Sequence, residues 1–214
     1  MRKNFKGQML RMDNYNITAL RAASHFVSWI KEIPINKTVP LGEYEFATQF
    51  TKVANVVLDN ELNERGERRR KTVIRFAPTI PIADFKRKAE WIYIFTIDGQ
   101  IVKIGGTRTG LQGRCGSYLC GHHITERGGS RDCSKTNGYI YNTFEFYLQH
   151  GCAIEMYGFL VPRAEIQVNV FGRAINDVAQ VYHIYESVAL SEFKRKFGFN
   201  PFLSDNSDPT YQDP

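Results

Sequence analysis

Long apolar runs are missing from this 214-residue chain. Its longest hydrophobic stretches are strand-length, well short of the roughly 20 residues a membrane-spanning helix needs. The basic start MRKNFKGQMLRM is not followed by the apolar segment of a signal peptide. Cysteine is also scarce. Cys115, Cys120, Cys133 and Cys152 are all the chain has, which argues against a disulfide framework and suits a reducing compartment. The expectation is a cytoplasmic protein. CxxC and HxxxH pairs are absent, and so is any internal repeat. The segment Cys120-Gly121-His122-His123, with Cys115 and Cys133, offers thiolates and imidazoles for zinc, but at spacings poor for a structural site.

What the chain does have is a hydrophobic fraction of 43% and 15 Phe, ample for one large packed domain and against disorder. Its net charge of +6 is unevenly placed. Residues 1–88 hold 17 Lys and Arg against nine Asp and Glu, whereas the remainder holds 11 against 13. The densest runs are RGERRRK (65–71) and KRK (86–88). Clusters of this kind neutralise phosphates, and otherwise are solvated loops.

The pattern along the chain divides it into three parts: a basic, mainly helical region 1–88 for DNA binding or dimer contacts, a core 89–200, and a loose tail 201–214. Helical spacing predicts amphipathic helices at 16–33 (Leu20, Ala23, Val27, Ile30) and 42–62 (Phe46, Phe50, Val53, Val57). A short strand is expected at 72–77. Asp98-Gly99 between WIYIFTI (91–97) and QIVKIG (100–105) is a strong hairpin signal. LQGRCGSYL (111–119) reads as a short helix, 121–138 as a Gly-rich loop, and 139–149 as either helix or strand. A strand at 152–161 precedes a helix at 176–198, with Asn176 as its cap and Gly198 past its end. The fold class is α/β of the α+β kind, a small antiparallel sheet flanked by helices.

Two polar residues interrupt the apolar hairpin, Tyr93 and Lys103. A two-residue turn pairs Ile97 with Gln100 and puts Tyr93 and Lys103 on opposite faces. A three-residue loop with Gly99 in a bulge pairs Tyr93 directly with Lys103. The sequence leaves both registers open. In isolation, Lys103 reads as a charge on an edge strand.

Tyr93, followed ten residues later by Lys103-Ile104-Gly105, then Thr107, Arg114 and a helix carrying Glu186, resembles the GIY-YIG nuclease family. Only the tyrosine of the first motif is kept, in Trp91-Ile92-Tyr93. Lysine replaces the tyrosine of the second motif, and Tyr118 stands where the family often has histidine. Both departures resemble its type II restriction endonuclease branch, a likeness that runs over about residues 90–200. It implies a three-stranded antiparallel core sheet. The implied activity is a site-specific double-stranded DNA endonuclease of a restriction-modification system, using one Mg²⁺ or Mn²⁺ per active site. Cutting both strands of a symmetric site implies a homodimer. Lys103 is the implied general base, Tyr93 its partner, Arg114 and Tyr118 the phosphate binders and Glu186 the metal ligand. Glu186 also stands out by itself, because Tyr182, Ala189, Leu190 and Phe193 share its helix face and a half-buried carboxylate needs a partner. The rivals are a basic DNA-binding module without catalysis and a homing or repair nuclease, which would use long linkers and separate DNA-binding modules. His183, Asn137 and Asn142 are left outside the catalytic set.

Overall fold

A computed structural model describes residues 38–66, 72–121 and 134–204. The expected helix 16–33 lies outside the described residues, as do 67–71 of the basic run and 122–133 of the Gly-rich loop. Among the described residues the centre is a six-stranded sheet in which every neighbouring pair is antiparallel. Its strands in chain order are β1 (Val39–Pro40), β2 (Thr51–Leu58), β3 (Ile74–Pro78), β4 (Trp91–Ile97), β5 (Gln100–Thr107) and β6 (Ile154–Leu160), arranged β1-β5-β4-β6-β2-β3. A separate two-stranded ribbon joins β7 (Ala164–Val170) to β8 (Arg173–Ala179). The helices are α1 (Ile82–Lys86), α2 (Leu111–Leu119), α3 (Lys135–Gln149) and α4 (Tyr182–Phe197).

Every residue of β4 is buried because the sheet is covered on both sides. On one face Trp91, Tyr93, Phe95 and Ile97 join Leu111, Cys115 and Tyr118 of α2 and Ile140, Tyr141 and Phe144 of α3. On the other, Ile92 and Ile94 join Ile101, Ile104 and the α4 residues Ala189 and Phe193. A strand covered on both faces reads as a continuous apolar run, as WIYIFTI does. Phe95 is the hub of the first face, with ring centroids 4.9 Å from Phe144, 5.5 Å from Tyr93 and 5.7 Å from Tyr118.

The expected α+β architecture is present, with six strands in place of three. The expected helix 42–62 is not. Residues 41–49 form two short 3₁₀ turns, Leu41–Glu43 and Glu45–Gln49, and 51–58 is β2, between β3 and β6. In VANVV the β-branched valines outweigh the helical spacing of the aromatics once a sheet offers pairing on both sides. The last helix begins at Tyr182, not Asn176, because 173–179 pairs with 164–170 and places Asn176 opposite Gln167. Its end is as read: Gly198 is left-handed at φ 81°. The ambiguous segment 139–149 belongs to α3, whose cap Ser134 Oγ accepts from Asn137 N. Residues 201–204, expected in a loose tail, are anchored: Leu203 is buried in the first core and its N–H donates to the Val102 carbonyl at 2.8 Å.

Phe95→Ala is expected to lower the unfolding free energy by about 3–5 kcal/mol in urea titration. Phe171→Ala, at the fully exposed tip of the ribbon, should change it by less than about 0.5 kcal/mol.

Candidate active site

The β4–β5 turn has two residues, Asp98 and Gly99, both left-handed at φ 48° and 79°, and pairs Ile97 with Gln100. By alternation this would separate Tyr93 from Lys103. A bulge corrects the parity. Thr96 pairs with Ile101 and Phe95 with Lys103, leaving Val102 as the extra residue on β5. Beyond the bulge Ile94 pairs with Ile104 and Tyr93 with Gly105. Paired residues share a face, so Lys103 lies on the Tyr93 face, one diagonal step away.

Gly105 is what lets Tyr93 lie flat over β5. A Cβ at position 105 would sit 2.5 Å from the Tyr93 hydroxyl oxygen. That hydroxyl is 2.6 Å from the Tyr118 hydroxyl and accepts from Arg114 Nε at 2.9 Å. The Arg114 guanidinium also lies over the Tyr118 ring, 4.4 Å from its centroid. α2 makes this geometry by carrying Arg114 and Tyr118 one turn apart on the face it packs against β4.

The electrostatics follow from two buried phenols under one cation. Burial pushes Tyr93 above its ordinary value of 10.0, and the nearby Glu186 carboxylate adds to this. The Arg114 charge and the hydrogen bonds with Tyr118 and Arg114 pull the other way. Tyr118 is raised further, by burial and by Tyr93. Tyr93 accepts from Arg114, while either hydroxyl can donate in the bond between the two phenols. With that guanidinium on it, Tyr93 is the phenol better disposed to carry negative charge. Burial works against the Arg114 charge, but Tyr118 and Tyr93 more than offset it and hold the guanidinium charged.

Glu186 reaches the same stretch of β5 from the other face. A Cβ on Gly106 would lie 2.8 Å from its Oε2 and 2.7 Å from the Tyr182 ring. Phenol and carboxylate thus flank Gly105-Gly106, one from each side. Glu186 is half-buried and has no hydrogen bond or ion pair among the described residues. An uncommitted carboxylate with solvent beside it fits a hard cation that keeps most of its waters, as Mg²⁺ does. Among the described residues no cluster of three or more His, Cys, Asp or Glu is placed to hold a metal, so Glu186 would be its one described protein ligand.

Lys103 is 6% exposed, and its ammonium donates to the Leu203 carbonyl at 3.0 Å. The structure gathers Tyr93, Arg114 and Tyr118 into one hydrogen-bonded group, places Glu186 across the Gly105-Gly106 strip from it, and directs Lys103 toward the C-terminal segment. Thr107 shapes the turn into α2, its Oγ1 accepting from Thr109 N at 3.2 Å. Cys115 is buried in the first core with its Sγ 3.8 Å from Met156 Sδ, and burial raises its thiol. His122, His123 and Cys133 lie outside the described residues.

Five residues were not legible as contributors to the site. Glu90 Oε2 accepts from the backbone N–H groups of Val181 and Tyr182, at 2.9 and 3.1 Å, and so fixes the start of α4. Gly106 makes room for Glu186. Lys88, Arg108 and Arg163 border a cleft of about 640 Å³ at the start of α2 and the foot of the β7–β8 ribbon. Only the KRK run hinted at that cleft.

No protein-family model matches this sequence, and no curated protein does. The solved structures it is similar to include two that are nucleases by name. One is the restriction endonuclease HPY188I in complex with product DNA, at 22% identity over 76% of this chain and 84% of that one, with a TM-score of 0.48. The other is a mutant of bacteriophage T4 EndoII, at 15% identity over 75% of this chain and 96% of that one, with a TM-score of 0.44.

Gly105→Ala should force the Tyr93 phenol from its seat, costing about 1–3 kcal/mol as read by thermal unfolding. Tyr93 and Tyr118 also make stability pH-dependent. Their folded pKa values are raised, so the stability they represent is complete below 10.0 and is lost as pH rises through the folded values. The fall in Tm between pH about 8 and about 11 should be smaller for Tyr118→Phe than for wild type.

Proposed function

We propose that this protein is a Mg²⁺- or Mn²⁺-dependent, site-specific endonuclease of double-stranded DNA, acting as a type II restriction enzyme of the GIY-YIG kind. The observation that carries the reading is the Tyr93–Tyr118–Arg114 group with Glu186 across the bare Gly105-Gly106 strip. Phosphodiester hydrolysis needs a proton acceptor for water, a cation facing the charge that builds on phosphorus, and help for the departing oxygen. Arg114 is the half-buried member of the group, and its guanidinium can fork onto two phosphate oxygens. Tyr118 orients that guanidinium through its ring. Lys103 in its neutral form takes the proton from water as the new O–P bond forms and the bridging P–O bond breaks. Tyr93 holds the water by its hydroxyl. Glu186 would hold the divalent ion, which when bound supplies a Lewis acid to the departing oxygen.

The cleft with Lys88, Arg108 and Arg163 opens next to the N-terminus of α2, where flanking phosphates can be neutralised. A symmetric cut made with one site per chain calls for a twofold homodimer. A second assignment has support in the Arg114 donor and charge on the Tyr93 hydroxyl, which oppose the raising effect of burial: a Tyr93 phenolate, not Lys103, takes the proton.

With plasmid and Mg²⁺, wild type should give discrete fragments, and chelation should abolish them. Glu186→Ala and Arg114→Ala should each lower the rate by about 10²–10³-fold while DNA still binds. Lys103→Met and Tyr93→Phe separate the two base assignments by which variant loses the pH-dependent limb of the rate. Retarded but intact plasmid from wild type would instead identify a DNA-binding module without catalysis.

A further inference from the structure

We propose that residues 201–204 form a clamp on β5 that positions Lys103 for the reaction, an inference that rests on the reading of Lys103 as a participant in cleavage. β1 pairs only with Gln100 and Ile101. Past that point the outer edge of β5 is taken over by the C-terminal segment. Leu203 N–H donates to the Val102 carbonyl at 2.8 Å. The Ser204 hydroxyl accepts from the Ile104 N–H at 2.9 Å and donates to the Ile104 carbonyl at 2.8 Å. One side-chain hydroxyl thereby serves both backbone groups that a neighbouring strand would otherwise serve.

These bonds bracket Lys103 on both sides, at the bulge residue Val102 and at Ile104. Between them the Lys103 ammonium donates to the Leu203 carbonyl at 3.0 Å. Leu203 is 4% exposed and belongs to the same core cluster as Tyr93, Phe95 and Val102, so its carbonyl is fixed by packing as well as by hydrogen bonding. A flexible lysine side chain loses substantial rotamer freedom when it is held. The segment supplies an acceptor, an apolar anchor and a lock on the bulge that sets the face Lys103 occupies. Leu203 and Ser204 are positioning residues, acting through Lys103.

Two readouts test this on the full-length protein. The first is the acetylation rate of Lys103 by an amine-reactive ester, followed by peptide mass spectrometry with exposed Lys88 as internal reference. The second is single-turnover plasmid cleavage with Mg²⁺. Ser204→Ala should raise Lys103 acetylation by about tenfold, the scale of one or two lost hydrogen bonds, and slow cleavage by about tenfold or more. Ser204→Thr should restore both, and Leu203→Ala should act in the direction of Ser204→Ala. Wild-type acetylation in both Ser204→Ala and Leu203→Ala overturns the proposal, as does faster acetylation with cleavage unchanged. Faster acetylation in a protein whose wild type cuts no DNA supports the clamp and removes the nuclease reading.

Discussion

The bulge at Val102 decides which face of the sheet Lys103, Ile104, Gly105 and Gly106 occupy, and with it where Tyr93 and Glu186 can lie. A two-residue turn whose residues are both left-handed suits the twist of a hairpin, and it is pinned from outside. Asp98 exchanges hydrogen bonds with Ala153: its Oδ1 accepts from the Ala153 N–H at 2.7 Å and its own N–H donates to the Ala153 carbonyl at 2.8 Å. That turn alone would send Lys103 and Gly105 to the face opposite Tyr93. One inserted residue reverses the parity of everything beyond it on β5. Lys103 and Gly105 come to the Tyr93 face, and Ile104 and Gly106 go to the α4 face. The phenol then finds a glycine beneath it, and so does the carboxylate.

Glycine at 105 and 106 weakens a strand by itself, through lost packing and backbone entropy. The surroundings compensate by filling the space with side chains from elsewhere: Tyr93 on one side, Tyr182 and Glu186 on the other. The buried phenols create a second demand, because two hydroxyls in an apolar core need partners. They share one hydrogen bond, and Arg114 Nε donates another to the Tyr93 hydroxyl and brings a charge beside the pair. Arg114, the third member, is only partly buried, so the group's positive charge lies at its solvent side.

Much of this was legible because periodicity is local. The hairpin, α2 from Leu111 to Leu119, the strand at 154–160 and the left-handed Gly198 follow from short-range pattern and turn chemistry. The segment 42–62 was misread because the spacing of Phe46, Phe50, Val53 and Val57 fits a helix, while the decision for a strand lay in partners on β3 and β6 that no local window contains. The bulge was invisible for the same reason: Val102 does not differ from a regular strand residue until its neighbours are known. Leu203 and Ser204 sit in a stretch rich in turn-forming residues, and only the open edge of β5 gives them a role.

The placement of Glu186 is a longer-range consequence of the same strand. Glu90 stands three residues before Tyr93 and takes the first N–H groups of α4 on its carboxylate, a favourable place for negative charge. Glu186 follows little more than one turn later, at a distance fixed by the rise of the helix. Residues 90–93 therefore locate both the phenol, directly, and the carboxylate, through the helix they hold. Movement of α4 relative to the sheet would have to break two charge-assisted hydrogen bonds and lift Tyr182 from Gly106. A carboxylate carried on a helix anchored in this way keeps its position relative to Arg114 without touching it, because both are held against the same two strands, β4 and β5.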